Sequence, residues 1–328
     1  MRFLLDGEQR EFARSLDAML SASDTPSAVR AWGAGDHAPG RALWARLAHA
    51  GVFALAVPET YGGVGPLPVE LAVSFVELGR HVVPGPVVES VAAAVLLGAV
   101  GGPAAKEWLP RLASGEASAS LRLDGYGPYA LDADAVDAVF VVDGEELRLA
   151  PGQGGPHASA DPARRLFVPE EGGTVLAAGP RVAAAARAAG DWAAFATAAQ
   201  ALGTGEALLR STVEYVKQRT QFSVPIGSFQ AVKHRLADTL LGLEFARPAL
   251  YGAAVSLSEG SARAGADVAA AKVLAGEAGY AAARTALQLH GAVGYTQELD
   301  LSLWLRKARP LRDAWGTPGA CRERVLSG

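Results

Sequence analysis

A single cysteine in 328 residues leaves no intrachain disulfide to form, so the fold must rest on packing, and the pattern suits a reducing compartment. Cys321 reads as an inert thiol near the chain end, with no hint of a zinc site. Histidine is also scarce. His37, His49, His81, His157, His234 and His290 are scattered, and no two stand at the i, i+4 spacing that aims a pair of imidazoles at one ion; no metal site is expected. Neither sign of charge dominates: 30 basic side chains face 34 acidic ones, for a net charge of -4. That excludes a general attraction to nucleic acid or to anionic lipid. Long apolar runs are missing as well. The longest, near Trp192 to Leu202, is alanine-rich and shorter than a membrane span. At the start, Asp6 and Glu8 follow a very short apolar run, which is wrong for a secretory signal. The expectation is a cytoplasmic chain with no membrane helix. A Gly-x-Ser-x-Gly elbow and a P-loop are both absent.

What the chain does contain is apolar bulk, 50% of all residues, enough for two or three compact units. Phe12, Leu16, Met19 and Leu20 recur at helical spacing, as do Leu43, Trp44 and Leu47 before Gly51. After the turn-rich "AVPETYGGVGPLP", helical patterns resume in "VELAVSFVELGR" and "VVESVAAAVLLGAV" up to Gly101-Gly102-Pro103. Residues 1–114 thus read as a helical domain. The period changes after Gly115: "DAVFVVDGEELRLAP" is a β-branched run, a turn at Asp143-Gly144 and a return strand, within a small β domain at 115–182. From 183 to 328 the pattern is again helical, and Phe229, Val232, Leu236, Leu240 and Leu243 make one apolar stripe. The fold class is mostly α with a small β domain between two helical ones, the last a bundle of long helices.

Gly203-Thr204-Gly205 resembles a phosphate loop, but no strand precedes it and Leu208 takes the place of the third small residue, so it reads as a close helix contact. "YVKQRTQFSVPIGSFQAVKHRLAD", Tyr215 to Asp238, carries more chemistry: a helix ends in Gln-Arg, a Pro-Ile-Gly corner follows, and a helix restarts with Phe-Gln. Arg219 offers a forked donor set suited to a diphosphate, Phe222 and Phe229 suit a flat ring, and Gln230 a polar edge. On spacing alone the same residues also read as a plain helical hairpin with one surface arginine and two core aromatics.

In order, spacing and residues, "GVFALAVPETYGGVG", the Tyr215–Asp238 stretch and "LQLHGAVGY" together resemble the acyl-CoA dehydrogenase family over nearly the whole chain. The resemblance implies helical, β and helical domains. It also implies that FAD lies between two protomers, with Arg219, Phe222, Phe229 and Gln230 reaching the neighbour's FAD. The Gln288 to Ala292 segment does the same, with Gln288, Leu289, Gly291 and Ala292 facing the adenosine half. The family reaction takes the α-proton of an acyl-CoA to a carboxylate while the β-hydride passes to flavin.

Three departures accompany the likeness. The glutamate that many family members carry directly before the C-terminal Gly-Thr is Trp315 here, and an indole cannot accept a proton. The alternative base position, on the earlier helix, is Ala193, and neighbouring Asp191 is turned about 200° away. The middle domain lacks the family's flavin loop and its tryptophan. Elements serving this chain's own flavin ring are degraded while those reaching a neighbour's site remain, a pattern that resembles the non-catalytic subunit of heteromeric (α2β2) enzymes of actinobacterial steroid side-chain degradation. The expected partner is a homologous catalytic subunit that holds most of the acyl-CoA, and electron-transfer flavoprotein is the candidate electron acceptor. Two other readings stand beside this one: a self-sufficient enzyme using Asp313 or another acid, and a flavin-free scaffold.

Overall fold

The computed structural model describes residues 4–327, which fall into two compact units. One is built from residues 23–71 and 83–196. It holds α2 (Thr25–Gly33), α3 (Ala38–His49), the first turn of α4 (Pro68–Arg80), α5 (Val87–Val100), α6 (Gly102–Ala113) and the first half of α7 (Pro180–Gln218). Periodicity did not reveal α2. Its start is set by Asp24, whose carboxylate accepts from the Ser27 N–H at 3.2 Å, with proline in the first turn. Gly101-Gly102-Pro103 likewise opens α6 as it closes α5.

The sheet of this unit has strand order β1-β3-β4-β6, from β1 (Ala119–Leu123), β3 (Ala138–Asp143), β4 (Glu146–Leu149) and β6 (Thr174–Ala178). A short pair, β2 (Ala130–Leu131) and β5 (Leu166–Phe167), stands beside it. β1 and β3 run parallel and the other ladders are antiparallel. Ala138 to Val142 are all buried, which explains the unbroken apolar run: β3 is covered on both faces. Trp108 of α6 meets Phe140 edge-on at 5.5 Å, and the Ser90 hydroxyl of α5 bonds the Ala119 backbone at 2.9 Å. The β3–β4 turn falls at Gly144-Glu145, one residue later than the sequence suggests, because Asp143 still pairs with Glu146 and Gly144 supplies the positive φ of 58°.

The other unit comprises residues 4–22, 72–82 and 197–327. It contains α1 (Gly7–Ser21), the rest of α4 and of α7, α8 (Gln230–Ser258), α9 (Ala264–His290), α10 (Leu301–Asp313) and α11 (Pro318–Ser327). Asp6 and Gln9 form a reciprocal cap on α1, at 2.9 and 3.0 Å. The Gly203-Thr204-Gly205 run is the close contact that its helical setting suggests. A Cβ on Gly203 would stand 1.9 Å from the Val76 carbonyl oxygen, and one on Gly205 would stand 2.6 Å from Leu243 Cδ2. Among the described residues no helix is long and apolar enough to cross a membrane.

One acid in the first unit has no counterpart in the sequence reading. Asp132 is fully buried; its Oδ1 accepts the Arg165 N–H at 3.1 Å. Burial pushes its pKa up to about 7, against the opposing effect of that hydrogen bond. The native state therefore keeps a proton that the unfolded chain loses near pH 4, so this group makes stability fall as pH rises from about 4 to about 7. Asp132→Asn, which keeps the acceptor oxygen, should flatten that slope and gain on the order of a few kcal/mol relative to the parent at pH 8 compared with pH 4. Urea midpoints across this range measure it, and parallel curves for the two proteins would refute it.

Candidate cofactor-facing site

The Tyr215–Asp238 stretch folds as an exposed hairpin between two long helices. α7 ends at Gln218, Thr220–Gln221 (β7) pairs antiparallel with Val224–Pro225 (β8), and α8 starts at Gln230. Both loop residues carry positive φ, Phe222 at 53° and Ser223 at 62°. That is the backbone a two-residue hairpin loop of the I′ type requires, in a place usually held by Asn-Gly. A bulky residue there is an outlier. Phe222 is nevertheless 88% exposed, touching Phe229 edge-on at 6.2 Å between centroids.

The other sequence-derived residues gather around this hairpin. Arg219 directly follows α7; its backbone carbonyl accepts from the Ile226 N–H at 2.8 Å, while its guanidinium is exposed. Phe229 caps α8 and Gln230 is its first residue, both exposed. At the end of α9, Gln288 is exposed and accepts from Arg235 of α8 at 3.0 Å. Leu289 is half-buried, and Gly291 and Ala292 are exposed, with Gly291 at φ 63° where the helix gives way to a 3-10 turn. Two contacts missed by sequence reasoning join these groups. Tyr215 stacks on His290 at 4.1 Å, and Thr239 bonds Thr285 at 3.2 Å. Burial holds the His290 pKa below the ordinary histidine value, partly offset by the hydrogen bond to the Ala286 carbonyl. The "LQLHG" motif was the available signal: a histidine inside an otherwise apolar helix end.

Trp315 does not join this group. It follows α10, half-buried, in a left-handed conformation with φ 54°. The turn is gripped by Lys272 of α9, which is 1% exposed and whose ammonium donates to the carbonyls of Leu311, Arg312 and Gly316 at 3.0, 2.8 and 3.3 Å. Lys272 and Gln288 stand sixteen positions apart on one helix, about 24 Å. Asp313 is exposed. Ala193 is fully buried and Asp191 half-buried, in the part of α7 that belongs to the first unit.

The apolar stripe on α8 is only partly covered. Leu243 is buried, Val232 and Leu236 are half-buried, and Leu240 is exposed. Beside it, Leu241 and Phe245, one helical turn apart, are also open to solvent, Phe245 at 73%. Within the chain the stripe is fully covered only at Leu243, and Phe229 and Leu240 are left open. Arg219, the aromatic pair and this apolar face form a surface that can take up a flat ring, a diphosphate and a second helix face.

The chain matches the acyl-CoA dehydrogenase N-terminal domain over residues 6–116 and the acyl-CoA dehydrogenase C-terminal domain over residues 183–326. It belongs to the acyl-CoA dehydrogenase family. Among its relatives, acyl-CoA dehydrogenase IpdE2 of Mycobacterium tuberculosis (strain ATCC 25618 / H37Rv) is 36% identical over 305 residues, covering 92% of this chain and 91% of that one. Among solved structures, the ChsE4-ChsE5 complex from Mycobacterium tuberculosis contains a chain 26% identical, with a TM-score of 0.84, matched over 100% of this chain and 98% of the other. A variant of the Tcur3481-Tcur3483 steroid ACAD has a TM-score of 0.85 at 25% identity, over 98% of this chain and 97% of the other.

The hairpin yields a test independent of any ligand. Ser223→Gly removes a Cβ from a positive-φ position and should stabilise the protein by about 1 kcal/mol. Chemical denaturation reads the difference, and a loss of stability would contradict the assigned loop.

Proposed function

We propose that this chain is the non-catalytic subunit of a heteromeric FAD-dependent acyl-CoA dehydrogenase, supplying part of the FAD site of a homologous catalytic partner in an α2β2 assembly. The observation that carries this reading is the exposed hairpin. Phe222 is held in a costly backbone conformation with its ring in solvent, beside the exposed Arg219 guanidinium and an uncovered apolar face on α8. Such a surface is complete only when another molecule covers it.

The residues fit the cofactor's chemistry. Arg219 would hold the diphosphate, Phe222 and Phe229 would lie against a ring, and Gln230, Gln288, Leu289, Gly291 and Ala292 would approach the adenosine half through amide and backbone. FAD supplies a hydride acceptor when bound. This chain supplies no proton acceptor at Trp315, an indole with a donor only, and none at the buried Ala193. Trp315 fills the space where the family's glutamate would act, and Lys272 holds the turn that carries it.

Acyl-CoA desaturation, at a carboxylate of the partner, is the reaction of the assembly, with most of the substrate pocket in the partner and electron-transfer flavoprotein as the electron acceptor. A steroid side-chain CoA thioester is the substrate class favoured by the likeness to a steroid ACAD. The three-part domain division at 114 and 182 and a cytoplasmic location belong to the same reading.

Expressed alone, the chain should bind little FAD and show no acyl-CoA oxidation. Co-expressed with a homologue that retains Glu before Gly-Thr, it should copurify as a yellow complex. Stoichiometric flavin and turnover by the single chain would instead support a self-sufficient enzyme.

Within the mixed complex, Arg219→Ala should weaken FAD retention by about 1.5–3 kcal/mol, the loss of one ionic hydrogen-bonding partner. Arg219→Lys should recover only part, because the ammonium keeps the charge but not the planar fork. FAD content and affinity of correctly assembled variants decide the matter: unchanged affinity in Arg219→Ala removes this residue from the site.

A further inference from the structure

A second cluster lies in the same unit, at the end of α4. Glu77 and His81 stand at i, i+4, the spacing that puts two side chains on one helix face, and Asp17 of α1 reaches the same spot. One ligand-type atom from each of the three lies within 4.8 Å of the other two, and His81 Nε2 is 2.8 Å from Asp17 Oδ1. Glu77 is 3% exposed. Its Oε1 accepts from Arg80 at 2.5 Å, whereas its Oε2 is buried with no hydrogen-bond partner among the described residues.

The local charge is also out of balance. Arg80 bridges Glu77 and Glu206, and Arg247 bridges Glu206 and Glu244. With Asp17, four carboxylates meet two guanidiniums, a net deficit of two positive charges when His81 is neutral.

From this geometry we propose that Asp17, Glu77 and His81 bind a divalent transition-metal ion of the Zn2+ type, which pins α1 to the end of α4. Two carboxylate oxygens and one imidazole nitrogen are a donor set that zinc accepts at about 2.0–2.2 Å, with water in the remaining position. Tetrahedral coordination at those lengths separates ligand atoms by about 3.4 Å, so the Asp17–His81 contact opens slightly and Glu77 moves inward. The ion takes the lone pair of His81 Nε2, with the imidazole in the tautomer that carries its proton on Nδ1. Asp17, with its side chain 47% exposed, provides the path of entry. The site is structural. The histidine-pair criterion that excluded a metal from the sequence does not detect it, because two of its three ligands are carboxylates and one lies sixty residues upstream.

Isothermal titration of the full-length, metal-stripped chain with ZnCl2, together with thermal melts, tests the proposal. One saturable equivalent is expected, with a raised Tm. Asp17→Asn and His81→Gln should each weaken binding at least about tenfold, since each removes a ligand. Asp17 is half-exposed, so Asp17→Asn decides the result even where His81→Gln fails to fold. Absence of saturable binding below about 1 mM, or unchanged affinity in Asp17→Asn, overturns the assignment and leaves an ordinary histidine–carboxylate pair.

Discussion

Backbone contact between long helices, made at glycines, is the constraint on which the helical unit depends. Gly203 of α7 lies against the Val76 carbonyl of α4, Gly79 of α4 against the Gln200 carbonyl of α7, and Gly279 of α9 against the Ala201 carbonyl. No side chain fits between these helices: a Cβ at Gly203, Gly79 or Gly279 would come within 1.9, 2.2 or 2.6 Å of the facing oxygen. The same seam carries charge, since Glu206, one turn beyond Gly203, receives Arg80 from α4 and Arg247 from α8. Each arginine is held by a carboxylate that is itself mostly buried, so neither end can leave without stranding the other.

That seam determines what the candidate site looks like. With α7 and α9 in backbone contact at Ala201 and Gly279, they remain close enough farther along for Tyr215 to stack on His290. The hairpin after α7 and the 3-10 turn after α9 then emerge side by side. A shift of either helix by one turn, about 5.4 Å, would break the Tyr215–His290 stack that joins the two ends. Precision at the exposed surface thus originates in buried glycines far from it.

Much of this was legible in the sequence, for reasons that differ by element. Long helices announce themselves by period, and Gly203-Thr204-Gly205 inside such a period has few uses besides close packing. Arg219, Phe222, Phe229 and Gln230 stand out because a helix break with Pro-Ile-Gly needs a reason. The left-handed Phe222-Ser223 loop was not legible, since neither residue favours that conformation and only the short β7–β8 pairing forces it. Nor was the exposure of the α8 stripe: periodicity reports that a face is apolar, not what covers it. Asp17, Glu77 and His81 escaped because their proximity is tertiary, and Lys272 because a buried ammonium satisfied by three carbonyls leaves no pattern along the chain.

The two ends of α9 put the proposed division of labour into physical terms. Near its start, Lys272 closes the Trp315 turn with three hydrogen bonds, and Gly316 is required there because a Cβ would approach Cys321 Sγ to 2.7 Å. The Lys272 ammonium and the three carbonyls it meets satisfy one another inside the chain. About 24 Å away, the other end leaves a guanidinium, a phenylalanine ring and an amide facing water. A residue in a left-handed conformation costs roughly 1–2 kcal/mol, and a ring that is 88% exposed, with one edge contact to Phe229, buries little apolar surface within the chain to offset it. Strain of this kind persists when an interaction outside the fold repays it. Under the proposed function, the strained and exposed hairpin is the end that a partner subunit covers, and the chemistry takes place in that partner.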